Sequence, residues 1–207
     1  MDIKNTQSTE EAILEVAEKL FLEKGFSSTS TTEIAREVGC NQALVHYYFR
    51  TKENLFNTIF EQKFKLFFQG VFEMKNMGNL QFLDKLKYII ESHFDLLRKN
   101  PRIPSLILNE LSRQPGQINI LREKLHTLPE QLFAELNAEL QTEIENGRIR
   151  NISLLDLVVS IISLNVALFL MLPVAEKALE LTETQKEFMI MHRREENVDF
   201  ILKSLRP

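Results

Sequence analysis

An all-α fold is expected of this chain, on two observations. Long amphipathic segments carry apolar residues at helical spacing, and only six glycines and six prolines interrupt 207 residues, which leaves little room for sheet. At 44% hydrophobic and 26% charged residues, the composition is that of an ordinary soluble globular protein. The length suits one large domain or two small ones. A single cysteine, Cys40, excludes an internal disulfide and fits a reducing cytosol. The opening residues MDIKNTQSTEEA hold no apolar h-region, so no secretory signal is expected.

The first helix is expected from Thr9 to Lys24. Ser8 and Glu11 have capping-box spacing, Ile13, Leu14, Val16, Ala17, Leu20 and Phe21 share a face, and Gly25 stops it. Ser30 and Glu33 repeat the box and open a second helix near Thr31, with Ile34, Ala35 and Val38 inward and Gly39 as the turn. A third helix runs from Asn41 or Gln42 to Phe49, its core side formed by Leu44, Val45 and Phe49. Thr51 caps a fourth, which continues past Phe72 with an apolar stripe from Leu55 to Phe72. A stripe that long outruns a three-helix domain, so this helix is expected to link two domains, 1–54 and 55–207.

Beyond the break at Asn76–Asn79, helices are expected over Leu80–Arg98 and Ser105–Arg113. Another spans Gln117–Asn146, with Pro129 kinking or splitting it. Ser153–Leu172 follows, with Pro173 near its end, and Thr182–Leu205 comes last.

Residues 25–56, GFSSTSTTEIAREVGCNQALVHYYFRTKENLF, concentrate the functional signal. They read as two short helices around a glycine turn, and no acidic residue occurs between Val38 and Lys52 in a chain of net charge −4. Hydroxyls, aromatics and cations on such a unit suit a DNA major groove. The net charge argues mildly the other way, but phosphate contacts require a local patch rather than a basic domain. Thr29 and Ser30 precede a helix N-terminus, where hydroxyls cap the helix and can also share a phosphate oxygen. Gln42 opens the third helix and can pair with adenine N6 and N7; the plain alternative is an idle surface glutamine. His46 follows one turn later, with no partner at metal spacing, so no metal site and no cofactor are expected. Tyr47 and Tyr48 are adjacent and cannot share a face. Lys52, a cation in the first turn of a helix, opposes the helix dipole, which suggests an external anion.

The pattern G-F-x-x-T-S-x-x-E-I-A-x-x-x-G, then four residues and L-V-H-Y-Y-F-x-T-K-E-x-L-F, resembles the N-terminal domain of TetR-family transcriptional regulators over Gly25–Phe56. The remaining chain is similar to that family only in helix count and in the phrase E-N-G-x-I-R, Glu145–Arg150. The resemblance implies a helix-turn-helix DNA-binding domain at 1–54 and a helical ligand-binding and dimerisation domain at 55–207. It implies a cytoplasmic homodimer, a repressor released from a palindromic operator by a small-molecule effector. Gln42, Ala43, His46 and Tyr48 fall at base and groove positions, Tyr47 and Lys52 at phosphate positions, and Thr29 and Ser30 where the second helix meets the backbone. Cys40 replaces the usual aliphatic residue, and Gln42-Ala43 replaces a pair of small residues.

Two features of the C-terminal half bear on this. Leu157–Ala175 carries no charge and is long enough for a bilayer. It holds Ser160, Ser163 and Asn165 and lacks flanking Trp or a basic cluster, so a helix buried on every side is preferred to a membrane span. Leu155, Val158, Val159 and Ile162 there, with Phe188, Met191, Val198 and Leu202 in the last helix, are the expected dimer face in a four-helix bundle of the family's kind. Phe67, Phe68, Phe72, Phe94, Phe133 and Phe169 can line an apolar ligand cavity, with Asn109, Asn137 and Asn165 as its polar contacts; ordinary core packing is the alternative for each. An enzyme is not expected, since no nucleophile–base pair, metal-ligand spacing or glycine-rich phosphate loop is present. The remaining rivals are a ligand-independent DNA-binding adaptor that recruits a protein partner, and a membrane-anchored protein.

Overall fold

The computed structural model describes residues 3–73, 80–113 and 130–207. Those residues form nine α-helices and no strand: α1 (Ile3–Lys24), α2 (Thr31–Val38), α3 (Gln42–Phe49), α4 (Lys52–Glu73), α5 (Phe82–Lys99), α6 (Ile103–Arg113), α7 (Glu130–Glu145), α8 (Leu154–Ala178) and α9 (Glu183–Ser204). They divide into two compact units, Met1–Lys65 and Leu66–Pro207, and α4 runs across the division.

Local chemistry sets most boundaries. Ser30 caps α2 by accepting from the Glu33 amide at 3.1 Å. Gly39, at φ 76°, ends α2 with its own amide on Arg36 O and the Cys40 amide on Ala35 O, a Schellman closure. Asn41 caps α3 by accepting from the Ala43 amide at 2.9 Å, and Thr51 caps α4 by accepting from the Asn54 amide at 3.1 Å. Two expectations are corrected. α1 starts at Ile3, so Ser8 lies inside it rather than capping it; no glycine or proline precedes Gly25 to halt a helix. α8 continues through Pro173 to Ala178, because one lost amide bond is tolerated where flanking turns remain packed. Pro104 occupies the first turn of α6, where its missing N–H costs nothing. Of the long helix expected over Gln117–Asn146, α7 is the described part; residues 114–129 lie outside the described residues.

In the first unit, Ile13, Ala17, Phe21, Ile34, Val45, Phe49, Leu55 and Phe56 are buried together. Phe21, Phe26 and Phe56 form a ring cluster, with centroids 5.0 to 5.7 Å apart. Leu44, expected in this core, is exposed instead, because α3 buries the face of Val45 and Phe49. Lys63 joins α4 to Glu18 of α1 at 2.7 Å.

In the second unit, α5 packs on α8 and α9, which pack on each other. Phe82, Leu86, Ile90, Leu140, Leu157, Ile161 and Ile201 form one apolar cluster, and Phe94, Leu97, Phe169, Leu172 and Ile190 form another. Three buried polar residues link the helices. Asn165 of α8 donates to Ile90 O at 2.9 Å and lies 3.1 Å from His93 Nδ1, both on α5; Asn197 of α9 donates to Asn165 Oδ1 at 2.9 Å. Burial pushes the His93 pKa down to about 4, so the ring is neutral. Arg194 of α9 clamps Asp95 of α5 through two bonds of 2.8 Å and reaches Glu91 at 3.1 Å. The Glu145–Arg150 phrase is a strap: Gly147 takes φ 67°, Ile149 is buried, and Arg150 donates to Leu205 O at 2.9 Å and Ser204 O at 2.6 Å.

α8 is long and apolar enough to cross a membrane by length and composition. It is not buried on every side by its own chain. Leu157, Ile161, Asn165, Phe169 and Leu172 face inward, while Leu155, Val159, Met171 and Val174 are exposed. The fully buried, hydrogen-bonded Asn165 at its centre fits a helix packed on protein.

Candidate nucleic-acid interface

Residues 29–52 place the expected DNA-contacting side chains on α2, α3 and the adjoining turns. Gln42, Ala43 and His46 of α3 are exposed, and Tyr47 is 68% exposed. Tyr48 is half-buried, and its ring meets Tyr47 edge-on at 5.3 Å. Adjacent tyrosines therefore take different environments, yet their rings touch. Ser30 is exposed at the α2 N-terminus and combines capping with an accessible hydroxyl.

Thr29 is corrected. It is 2% exposed, and its hydroxyl lies 3.0 Å from Gly25 O and 3.3 Å from Leu20 O. It closes the α1 C-terminus, where helix carbonyls lack amide partners, so its side chain does not meet a phosphate. Lys52 is likewise engaged within the chain. Its ammonium donates to Phe26 O and Thr29 O, each at 3.0 Å, and sits 4.3 Å above the Phe26 ring. The conflict between its charge and the α4 dipole is offset here by carbonyls of the α1–α2 turn, an internal answer to the anion that the sequence suggested. Two of the three ammonium N–H groups are thus engaged.

Three residues of this surface take roles that the sequence reading did not assign to them. Asn41 caps α3, a role that its residue type alone could have indicated. Thr31 Oγ1 accepts from Gln42 Nε2 at 3.1 Å, a contact across eleven residues with no local signal. Arg50 ends α3 at φ 64°, ψ −56°, in a γ-turn closed by the Thr51 amide on Phe49 O at 2.6 Å. Its carbonyl receives His46 Nδ1 at 2.9 Å. A non-glycine residue there is strained, and such strain collects at functional sites. Acidic residues flank this stretch on both sides, Glu33 and Glu37 on α2 and Glu53 in the first turn of α4. Glu33 pairs with Lys24 at 2.5 Å, and that bond holds its carboxyl below the usual range.

This unit carries the recognised sequence signature. Residues 13–59 match the family described as Bacterial regulatory proteins, tetR family. The chain carries a TetR-family DNA-binding domain over these residues. It is a DNA-binding transcriptional regulator, and the family is one of regulators rather than enzymes. The fatty acid metabolism regulator protein of Bacillus subtilis (strain 168) is 24% identical over 139 residues, 67% of this chain and 69% of that protein. The HTH-type transcriptional regulator AcrR of Shigella flexneri is 40% identical over 58 residues, 28% of this chain and 27% of AcrR. A Clostridium perfringens structure named for fatty acid metabolism regulation superposes with a TM-score of 0.71 at 19% identity, covering 95% of this chain and 99% of its own. That likeness shows the TetR-type fold.

Among the described residues, those expected to form a ligand pocket divide between packed core and exposed surface. Phe94 and Phe169 are fully packed core, 5.2 Å apart, and Asn165 belongs to the buried polar link. Asn109 and Asn137 are exposed, because both lie on the outer faces of their helices, and Phe133 is half-buried. The side chains of Phe67, Phe68 and Phe72 lie outside the described residues. An open groove bounded by Leu80, Phe82, Lys85, Glu139 and Thr142 shares no residue with the expected set. Of the expected dimer face, Leu155 is 72% and Phe188 71% exposed, and Val159 and Met191 are exposed as well. Val158, Ile162 and Leu202 are half-buried. Val198 is corrected: it is buried in this chain's own core beside Ile201, since α9 turns that side toward α5 and α8.

Proposed function

We propose that the chain is a homodimeric repressor that holds a palindromic operator and leaves it when a small apolar molecule binds. Residues 1–54 read DNA, and residues 55–207 dimerise and receive the effector. The observation that carries this reading is the outer face of α3. Gln42, Ala43, His46 and Tyr47 stand exposed on a helix anchored by Val45 and Phe49, in a segment free of acid. A rigid short helix with polar tips and no carboxylate suits groove entry, with Ser30, Tyr47 and the remaining Lys52 N–H directed at phosphates and Tyr48 at the groove.

The exposed apolar residues of α8 and α9 support dimerisation. An isologous contact between two such faces pairs the reading helices by a two-fold axis, and operator symmetry follows. An acyl effector is supported by the apolar character of the second unit and by the B. subtilis relative's name. α4 runs through both units and is the element through which an effector displaces α3.

Sedimentation of the purified chain, followed by titration of fatty acids and acyl thioesters into its complex with a selected duplex, tests this. The expected result is a dimer whose DNA affinity falls about 5–150-fold with ligand. A complex indifferent to every such ligand would move the function to a ligand-independent adaptor; fractionation with the membranes would remove the cytoplasmic assignment.

A further inference from the structure

We propose that Thr31 positions Gln42 as a fixed hydrogen-bond acceptor, so that α3 selects an amino base, adenine or cytosine, over a keto base at one position of each half-site. The inference rests on the reading that α3 enters the major groove. It follows from which groups can donate.

The Arg50 carbonyl only accepts, so His46 Nδ1, 2.9 Å away, carries the ring proton. In the neutral ring, Nε2 is then an acceptor. It lies 3.4 Å from Gln42 Nε2, which must present a hydrogen to it. The same amide nitrogen donates to Thr31 Oγ1 at 3.1 Å. An amide nitrogen has two hydrogens, and both are committed. Gln42 Oε1 alone is left for a ligand, and it only accepts. The inferred tautomer also fixes the amide orientation, because exchanging Gln42 nitrogen and oxygen would set an acceptor against His46 Nε2.

Thr31 is available for this role because the cap of α2 is Ser30. Its Oγ1 receives Gln42 and leaves its own proton free for a phosphate. The register between the two helices comes from the left-handed Gly39, and the Arg50 turn supplies the carbonyl that orients His46. In the major groove, adenine N6 and cytosine N4 donate, while guanine O6 and thymine O4 accept. A lone acceptor favours the first pair and repels the second. The bidentate glutamine–adenine pair needs an amide hydrogen on N7, which here is already held by Thr31 or His46.

Selection of duplexes by the purified full-length protein, then competition between single-position variants, gives the test. The wild type should accept adenine and cytosine alike at one position per half-site and disfavour guanine and thymine by roughly tenfold. Gln42→Glu, an acceptor only, should keep that preference. Thr31→Val, which frees an amide hydrogen, should narrow it to adenine, and Thr31→Ser should restore it. A wild type that accepts adenine alone, or a Thr31→Val profile equal to the wild type's, overturns the proposal. Nitrogen-15 NMR of the histidines in the DNA-free protein adds an independent reading: protonation of His46 at Nδ1 is expected, and at Nε2 the relay is refuted. Failure to select any duplex would instead refute the groove reading, and the specificity would fall with it.

Discussion

At the scale of single residues, position in sequence and role in structure separate at Thr29, Ser30 and Lys52. The two hydroxyls are adjacent, yet Ser30 faces solvent at a helix start and Thr29 faces the carbonyls that end α1. Lys52 binds two carbonyls and a ring, so Lys52→Met should cost about 1–3 kcal/mol of stability, read as a lowered unfolding midpoint. If its third N–H also meets a phosphate, the salt dependence of operator binding should fall by roughly one unit of slope in the same variant. Tyr47 is the contrasting case. Its exposed ring contributes little to the core, so Tyr47→Ala should leave stability within about 0.5 kcal/mol while weakening operator binding. A large loss of stability in that variant would place Tyr47 in the fold rather than on the DNA.

At the scale of elements, the polar link among α5, α8 and α9 makes an acid-sensitive joint. The His93 pKa is pushed from 6.5 to about 4 by burial, so the native state resists a proton that the unfolded chain accepts. Its contribution is fully present above the unfolded pKa and is lost as pH falls from about 6.5 toward 4, by up to about 3 kcal/mol. Urea unfolding at pH 7 and pH 5 should show that decline, and His93→Gln should flatten it. An equal decline in the variant would assign the acid response to other groups. This joint also explains why a helix as apolar as α8 carries Asn165: the amide binds a carbonyl of α5 and the side chain of Asn197, which makes α8 a packed element with a set partner. α2 and the turn into α3 were legible because the Ser30 cap and the Gly39 turn act within four residues. The Thr31–Gln42 contact was not, because it depends on how two helices cross.

At the scale of the whole molecule, the unmet feature is the apolar surface of α8 and α9. Leu155, Val159, Met171, Val174, Phe188 and Phe200 are all exposed in the single chain. Clusters of this kind mark protein contacts, and central aromatic residues carry a large share of such interfaces. Phe188→Asp should therefore yield a monomer by sedimentation, with an unchanged helical circular dichroism spectrum and lost preference for inverted repeats. A variant that stays dimeric would move the two-fold contact elsewhere.

What the sequence determined by itself is the helical class, the order of helices, the Ser30 and Thr51 caps and the TetR signature over Gly25–Phe56, because these depend on neighbours within one or two helical turns. Only the tertiary structure decided that Leu44 faces outward and Val198 inward, that Phe94 and Phe169 fill a core, that Thr29 is sealed and that Gln42 is tethered to Thr31. An apolar or polar residue at helical spacing is compatible with several faces, and the choice among them is made by which other helices arrive to cover it.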